Sequence, residues 1–375
     1  MKRETNMLEI SLCMIVRDEE ETLGRCLESV KEAVDEIVIV DTGSRDGTKE
    51  IARAYTEKVY DFPWRDDFSA ARNFAFSRAE KGWCMWLDAD DVLKAGMTGE
   101  FLRMKRELPE TTDVVMLPYQ MGFDGEGRPS LVYDRERIVR NSPDFRFRGR
   151  VHEAIVPKGE VVRVEIPIEH RKMKEGDGLR NLRIYQKMEE QGEEFSPRDL
   201  YYYGRELTAH GNFEKGKETL TAFLARKDGW SENKIDASRQ LALCFYGMGR
   251  EEEALSAIFQ GFCYGLPRGE SCCLAGRHFL DRGRFWEAAY WYERALQAEM
   301  KRESGAFVNE ECYGYLPAIS LCVCYDRLGD WERAEEYNRI AGTYRPDSAH
   351  YLQNLQYFSR RRQQENRGHS EEAHI

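Results

Sequence analysis

The first half of the chain alternates short apolar runs, rich in β-branched residues, with segments of helical periodicity. The predicted strands are 8–16, 36–40, a short one near 58–60 and 83–87, and the predicted helices are 21–34, 48–55 and 69–80. Strands that are separated by helices of this length need crossover connections, and such connections indicate a mostly parallel sheet with helices on both faces. The sequence therefore predicts that this half is an α/β domain.

Past about residue 178 the strand pattern stops and a helical repeat begins. Each of four blocks opens with a glycine and has a small residue five positions later, and the blocks are 211–216, 249–254, 283–288 and 329–334. The glycines are 38, 34 and 46 residues apart, near the roughly 34-residue period of tetratricopeptide helix pairs. Over about 200–348 the chain resembles that repeat family, which implies a curved stack of helices that can bind a peptide or protein. Helical packing without a ligand explains the same pattern, and both interpretations stay open.

These patterns divide the chain into three predicted parts. Residues 1–178 form the α/β domain, 179–358 form tetratricopeptide-like helical repeats, and 359–375 form a polar tail without apolar periodicity. Such a tail buries too little apolar surface to offset the entropy lost on ordering, so we expect it to be disordered.

Composition narrows the classes of function. The formal net charge of −11 argues against nucleic acid as a partner, because neutralising phosphates needs a basic surface. No apolar stretch approaches the roughly 18 residues of a membrane span, and the first residues lack the pattern of a signal peptide. The ten cysteines show no paired metal-site spacing and are expected to be reduced thiols. We therefore expect a cytoplasmic protein with no membrane span.

Acidic residues follow three of the predicted strands. The continuations are Arg17-Asp18-Glu19-Glu20, Asp41-Thr42-Gly43-Ser44 and Asp88-Ala89-Asp90-Asp91. Because the carboxyl ends of parallel strands meet at one edge of a sheet, these acids should converge there. Clustered carboxylates repel one another unless a cation neutralises them, and Mg²⁺ or Mn²⁺ binds one or two carboxylates while leaving positions for substrate phosphates. The sequence therefore predicts a site for a divalent cation and a diphosphate.

Four motifs at this edge occur in a fixed order along the chain. They are Met14-Ile15-Val16-Arg17-Asp18-Glu19, Val40-Asp41-Thr42-Gly43-Ser44-Arg45-Asp46-Gly47-Thr48, Ala71-Arg72-Asn73 and Leu87-Asp88-Ala89-Asp90-Asp91. Together they resemble family 2 glycosyltransferases of the GT-A fold over most of 8–175, and the chain is similar to bacterial proteins that fuse this domain to tetratricopeptide repeats. The resemblance implies a GT-A (Rossmann-like) domain, a nucleotide-sugar donor, usually a uridine diphosphate sugar, and hexosyl transfer with inversion at the anomeric carbon.

The resemblance also assigns roles to individual residues. The expected contacts to the nucleotide sugar are Arg17, Asp18, Glu19, Asp41, Arg72, Asp88 and Arg180. The expected ligands of the divalent cation are Asp88, Asp90 and His170. The expected catalytic pair is His152 and Glu153, with Glu153 as the base. Two simpler explanations stay open: the acids at 18–20 complement a helix dipole, and Arg72 lies on a solvated helix face.

The segment 135–153 supplies six arginines and ends in His152-Glu153. Arginine binds phosphate oxygens bidentately, which suits a departing diphosphate, although not all six can reach one diphosphate. The commoner members of the resembled family use an aspartate in a Glu-Asp pair as base, and that pair and a Gln-x-x-Arg-Trp segment are both missing here. The sequence therefore disfavours processive polysaccharide synthesis.

Two other classes of function compete with glycosyl transfer. In one, the chain is a tetratricopeptide binding scaffold whose transferase-like half is inactive, although such a half has no reason to keep clustered charge at Asp41, Asp88 and Asp90. In the other, the domain transfers nucleotidyl groups, but the glycine-rich phosphate loop expected after the first strand is replaced by Arg17-Asp18-Glu19-Glu20.

Overall fold

The computed structural model describes residues 7–123, 127, 129–173, 177–301 and 308–372. It has two compact units that divide between Tyr202 and Tyr203, called unit 1 and unit 2 below. The strands all lie in unit 1 and are β1 Ile10–Val16, β2 Glu36–Asp41, β3 Val59–Asp61, β4 Trp83–Trp86, β5 Asp91–Leu93, β6 Val114–Phe123, β7 Pro129–Arg140, β8 Val161–Arg163 and β9 Ile168–His170. The helices of unit 1 are α1 Leu23–Val30, α2 Thr48–Arg53, α3 Phe68–Phe76, α4 Thr98–Glu107 and α5 Arg180–Glu190. Helix α6, Pro197–Ala209, continues across the division.

The described strands of unit 1 form one mixed sheet in the order β3-β2-β1-β4-β7-β6-β9-β5, with β8 beside β6. Strands β3, β2, β1 and β4 run parallel to one another. Strand β7 is antiparallel to β4 and β6, β9 is parallel to β6, and β5 is antiparallel to β9. The predicted α/β class is therefore confirmed, and the sheet has an additional half with antiparallel pairs.

Side chains of the parallel strands alternate between two buried faces. On one face, Leu12 and Met14 of β1 join a core with α1 and α4, and on the other, Cys13 joins a core with Ala75 and Phe76 of α3. Helix α1 buries Leu23, Cys26, Leu27 and Val30, which recur every three to four residues. Fully burying such a side chain contributes about 1.5–3 kcal/mol, so the sheet is stabilised from both sides.

Unit 2 is helical in all of its described parts. Its helices after α6 are α7 Phe213–Ala225, α8 Ser231–Gly247, α9 Glu251–Gln260, α10 Gly269–Leu280, α11 Phe285–Gln297, α12 Tyr315–Arg327, α13 Trp331–Tyr344 and α14 Ala349–Glu372. The four repeat glycines end helices in the left-handed region, with φ of 75° at Gly211, 72° at Gly249, 69° at Gly283 and 77° at Gly329, where glycine has no steric penalty.

The small residues five positions after these glycines lie where helices pack closely. Ala254, Ala288 and Ala334 are fully buried, and a Cβ on Gly216 would lie 3.0 Å from the Cys244 sulfur. Larger side chains at these positions would separate the helices. The predicted tetratricopeptide-like helical class is therefore confirmed for this unit.

Two of the predicted bounds can be compared with elements of the structure. The division into compact units falls after Tyr202 and places α5 and the start of α6 in unit 1, and the domain boundary at 178 stays a prediction. The tail predicted to be disordered from 359 continues α14 as far as Glu372, and 373–375 lie outside the described residues. The reason is packing next to the tail: Phe358 is buried, Arg361 lies 3.2 Å over the Trp331 ring, and Arg362 pairs with Glu335 at 2.9 Å.

Among the described residues, every helix is either too short or too polar to span a bilayer.

Candidate active site

A cleft of about 490 Å³ lies where β1, β2 and β4 end. Its lining includes four carboxylates and four guanidinium groups, together with two imidazoles and three aromatic rings. These residues are Glu19, Asp88, Asp90, Glu153; Arg17, Arg72, Arg135, Arg180; His152, His170; and Trp64, Phe68, Trp86. The cleft therefore offers guanidinium groups to anionic groups of a ligand and carboxylates to a cation that the ligand brings with it.

The turn after β4 presents Asp88 and Asp90 from a rigid base formed by Asp91. Asp91 is fully buried. One of its oxygens accepts the Asp88 N–H at 3.1 Å and pairs with Arg137 at 3.0 Å, and the other accepts the Tyr119 hydroxyl at 2.8 Å. The Asp91 N–H in turn donates to the Asp88 carbonyl at 3.0 Å. Asp91 therefore fixes the shape of the turn.

Arg137 on β7 is the cation beneath this turn. Its side chain is fully buried, and it lies over the Trp86 ring at 4.0 Å and the Tyr119 ring at 4.3 Å. Besides the pair with Asp91, it donates to the Trp86 carbonyl at 3.2 Å, whereas its Nε and Nη2 have no hydrogen-bond partner among the described residues. A buried charge of this kind persists only with a buried counter-charge, which here is Asp91.

Asp90, Asp91 and His170 form a group that can hold a metal ion, because their ligand atoms lie within 4.8 Å of one another. The His170 Nδ1 lies 3.4 Å from Asp90 and 3.3 Å from Asp91. Carboxylate and imidazole donors fit Mn²⁺ well and Mg²⁺ through the carboxylates. Since Asp91 is already engaged by three donors, Asp90 and His170 are the members best placed to ligate, with Asp88 beside them.

Arg72 joins two of the carboxylates that line the cleft. Its Nη2 pairs with Asp88 at 2.6 Å and its Nε with Glu153 at 2.7 Å. The guanidinium is buried, lies 4.9 Å over the Trp86 ring and 5.4 Å over the Phe147 ring, and keeps Nη1 without a partner among the described residues. The predicted alternative of a solvated helix face is therefore wrong for Arg72.

The charges of the cleft shift the pKa values of two groups. Burial raises the pKa of Asp88, but the neighbouring Arg72 and Arg137 outweigh it and lower that pKa to about 2. Burial lowers the pKa of His170, but the hydrogen bonds with Asp90 and Asp91 outweigh it and raise that pKa to about 10. Asp88 is thus anionic and, without a metal, His170 is cationic at neutral pH.

The acids after β1 and β2 divide between the cleft and the backbone. Arg17 and Glu19 line the cleft, as does Thr42 after β2. Asp18 is not among the lining residues, and one of its carboxylate oxygens accepts the Arg45 N–H at 2.7 Å. Asp41 is buried instead, and its carboxylate accepts the backbone N–H groups of the two residues in its own turn, at 3.0 Å and 3.1 Å. The structure therefore gives Asp18 and Asp41 roles in shaping loops, and their contacts to a nucleotide stay predictions.

The lining of the cleft also includes His152, Glu153, Arg180 and Asn181. Asn181 Nδ2 lies 3.4 Å from the Nε2 of His152, and Arg180 lies 4.5 Å over the Phe68 ring. The residues predicted to bind the donor and the metal or to act as base thus line one cleft, except for Asp18 and Asp41.

Of the six arginines in 135–153, Arg135 lines the cleft. Arg137 lies beneath it, and Arg140 and Arg150 pair with acids outside it. The sequence analysis did not identify Asp91, Arg137 and Tyr119 as supports of the turn that carries Asp88 and Asp90. Arg137 follows Arg135 and Glu136 in a charged run, so nothing in the local sequence distinguishes it as a buried residue.

Comparisons with known proteins agree with this site. Residues 11–165 match the sequence model of Glycosyl transferase family 2. A TPR repeat-containing protein of Synechococcus elongatus is 43% identical over 150 residues, which are 40% of this chain and 36% of that protein. The SPbeta prophage-derived glycosyltransferase SunS of Bacillus subtilis is 28% identical over 217 residues, 53% of this chain and 49% of SunS.

A third relative is the lipopolysaccharide core biosynthesis glycosyltransferase LpsC of Rhizobium meliloti, 32% identical over 168 residues, 41% of this chain and 59% of LpsC. The chain thus spans between 36% and 59% of the length of these relatives. The crystal structure of S. aureus TarS covers 68% of this chain and 54% of its own, at 15% identity and a TM-score of 0.34, which is too low to add to the fold described above. Residues 11–165 form a glycosyl transferase family 2 domain, which this chain joins to tetratricopeptide-like helical repeats.

Proposed function

We propose that the chain is a metal-dependent, inverting glycosyltransferase that uses a nucleotide diphosphate sugar, with uridine diphosphate as the first choice of nucleotide. The observation that carries this proposal is the cleft that Asp88, Asp90, His170 and Glu153 line together with four guanidinium groups. Glycosyl transfer needs these parts: a cation site for the diphosphate, positive charge for the departing group and a base for the acceptor.

Asp90 and His170, with Asp88 beside them, are the proposed ligands of Mn²⁺ or Mg²⁺. The bound ion would neutralise the diphosphate and stabilise the charge that develops on it. Asp91 is excluded as a principal ligand because Arg137, Tyr119 and the Asp88 amide already engage its carboxylate. Arg135 is the proposed donor to phosphate oxygens, since its guanidinium group lines the cleft, and Arg72 adds positive charge beside it.

Glu153 is the proposed base. The acceptor nucleophile attacks the anomeric carbon, the bond from that carbon to the phosphate oxygen breaks, and the proton of the acceptor passes to the Glu153 carboxylate. The hydrogen bond from Arg72 Nε at 2.7 Å holds one Glu153 oxygen in place and leaves the other for the acceptor. Contacts of Asp18, Asp41, Glu19 and Arg17 to the nucleotide belong to the same proposal.

The acceptor is proposed to be a peptide or protein held by the helical repeats, because such repeats commonly present a concave binding surface. The name of LpsC points instead to a lipopolysaccharide core, so a transfer assay has to include glycan acceptors as well. A chain that binds a protein partner but neither binds nor cleaves a nucleotide sugar would be the scaffold alternative. Residues 1–178, 179–358 and 359–375 are the proposed catalytic, repeat and tail segments.

Thermal unfolding with uridine diphosphate, with and without Mn²⁺, tests the proposal. Ligand at 100 times its Kd stabilises the native state by about 2.7 kcal/mol, which raises the Tm of a unit of this size by roughly 5–11 °C. We expect this shift to need Mn²⁺ and to disappear in Asp90→Asn. The control variant is Asp144→Asn, whose carboxylate is 70% exposed and pairs with Lys158 at 2.7 Å. A wild-type protein without a shift, and without release of uridine diphosphate from any common uridine diphosphate sugar, would overturn the proposal.

A further inference from the structure

His152 has a backbone conformation that non-glycine residues rarely adopt. Its φ is 50°, in the left-handed region that costs a residue with a Cβ about 1–3 kcal/mol unless its surroundings determine it. The residue lies in the wall of the cleft directly before Glu153. Strain of this kind at a cleft indicates that neighbouring groups hold the residue in place.

Two side chains from α6 hold His152. Arg198 Nε donates to the His152 carbonyl at 2.9 Å. The Tyr202 ring stacks on the imidazole with the ring centroids 4.2 Å apart and the planes at 12°. Arg198 also supports Tyr202, because its guanidinium lies 4.8 Å over the Tyr202 ring and donates to the hydroxyl at 3.4 Å. The backbone and the ring of His152 are thus fixed from one helix.

A second aromatic ring and an amide also lie near the imidazole of His152. Tyr185 of α5 lies nearly parallel to the imidazole, with the centroids 6.5 Å apart and the planes at 14°. Asn181 Nδ2 approaches the Nε2 of His152 at 3.4 Å. The imidazole therefore has little freedom to rotate, and the backbone that connects His152 to Glu153 begins at a residue whose position is fixed.

We propose that Arg198 and Tyr202 are positioning residues that fix His152 and, through it, the carboxylate of Glu153 on the acceptor side of the cleft. The inference rests on the proposed function, because it assumes that Glu153 takes the acceptor proton. Neither residue is among those that line the cleft, so their proposed effect passes through the chain from 152 to 153. A displacement of about 1 Å in a reacting group can lower turnover by about 100-fold.

A role in packing alone predicts a different result. Tyr202 is buried, so its truncation destabilises unit 1 whatever His152 does. A purely structural role would lower the Tm and the amount of active enzyme, without changing kcat per folded molecule. Positioning instead predicts a loss in kcat at unchanged KM for the donor, and the signal of the imidazole reports whether the stacking is present in solution.

The test compares Tyr202→Leu with Tyr202→Phe, which keeps the ring and removes only the hydroxyl. The first readout is the ¹H–¹³C NMR signal of the His152 ring, identified by its absence in His152→Gln. We expect the upfield shift that a stacked ring produces to remain in Tyr202→Phe and to be lost in Tyr202→Leu. This readout does not depend on activity, so its failure is distinct from failure of the proposed function.

The second readout is release of uridine diphosphate from uridine diphosphate sugars with Mn²⁺. We expect kcat to fall by about 10- to 100-fold in Tyr202→Leu, and less in Arg198→Gln, with KM for the donor unchanged. Tyr202→Phe should stay within about threefold of wild type. The thermal shift with uridine diphosphate and Mn²⁺ should be the same in all of them. An unchanged imidazole signal in Tyr202→Leu, or equal activity of the Leu and Phe variants, would overturn the inference, whereas an inactive wild type would overturn the proposed function instead.

Discussion

Replacement of Arg137 by methionine tests the reasoning about the acidic turn. The variant removes the cation from a fully buried ion pair, whose charged atoms are 3.0 Å apart, and keeps most of the apolar length of the side chain. Removing one partner of a buried pair costs about 3–5 kcal/mol, because the remaining charge stays out of water. Tyr119 and the Asp88 amide still donate to Asp91, so we expect the lower end, about 3 kcal/mol.

For a unit of about 200 residues, 1 kcal/mol changes the Tm by about 2–4 °C, so the expected decrease for Arg137→Met is about 6–12 °C. Calorimetry measures it, and hydrogen exchange of peptides from β4 and β7 identifies the transition of unit 1. The control is Arg103→Met, because Arg103 and its partner Glu100 are both half-exposed and such a pair contributes about 0–1 kcal/mol.

The double variant Arg137→Met/Asp91→Asn removes the stranded charge as well. We expect it to unfold at a higher temperature than Arg137→Met alone, since contacting residues are not additive. A Tm of Arg137→Met within about 2 °C of wild type, or a double variant below the single one, would refute the claim that the pair supports the turn.

Two further predictions concern residues of α10 in unit 2. His278 Nδ1 lies 2.8 Å from the Tyr246 hydroxyl. Burial lowers the pKa of His278, and the charge of Arg282 lowers it further. The stability that the neutral imidazole contributes is therefore present above about pH 6.5 and is lost as the pH falls through the lower pKa of the folded state. Calorimetry of unit 2 between pH 7.5 and 5.5 should show a decrease in Tm that is smaller in His278→Gln. A Cβ on Gly276 would lie 2.9 Å from the Tyr292 ring, so Gly276→Ala should destabilise unit 2 by about 1–3 kcal/mol, measured by chemical denaturation.

The parallel half of the sheet was predictable because its strands are buried on both faces and read as continuous apolar runs. The prediction of 36–40 corresponds to β2 Glu36–Asp41, and that of 83–87 to β4 Trp83–Trp86. Strands β5, β8 and β9 have only three residues each. They are set by pairing with distant strands, and a run of three residues has no periodicity to detect.

The composition of the site was more predictable than its geometry. Acidic residues at strand ends indicated a common edge, and the cleft brings Glu19, Asp88 and Asp90 together there. Whether an acidic side chain lies in the cleft or binds the backbone depends on local hydrogen bonds. The carboxylate of Asp41 accepts N–H groups of its own loop. The supports of His152 lie about fifty residues further along the chain, where neither spacing nor composition connects them to it.

Arg72 shows why the donor and acceptor sides of the cleft need one particular side chain between them. Asp88 and Glu153 bind different nitrogens of the same guanidinium, at 2.6 Å and 2.7 Å. A guanidinium is planar, so two carboxylates bound to its edges keep a fixed distance and angle, whereas an ammonium group on a flexible chain sets neither. Stacking on Trp86 and Phe147 fixes the plane itself. The proposed metal side and the proposed base are therefore held in register by a single buried arginine.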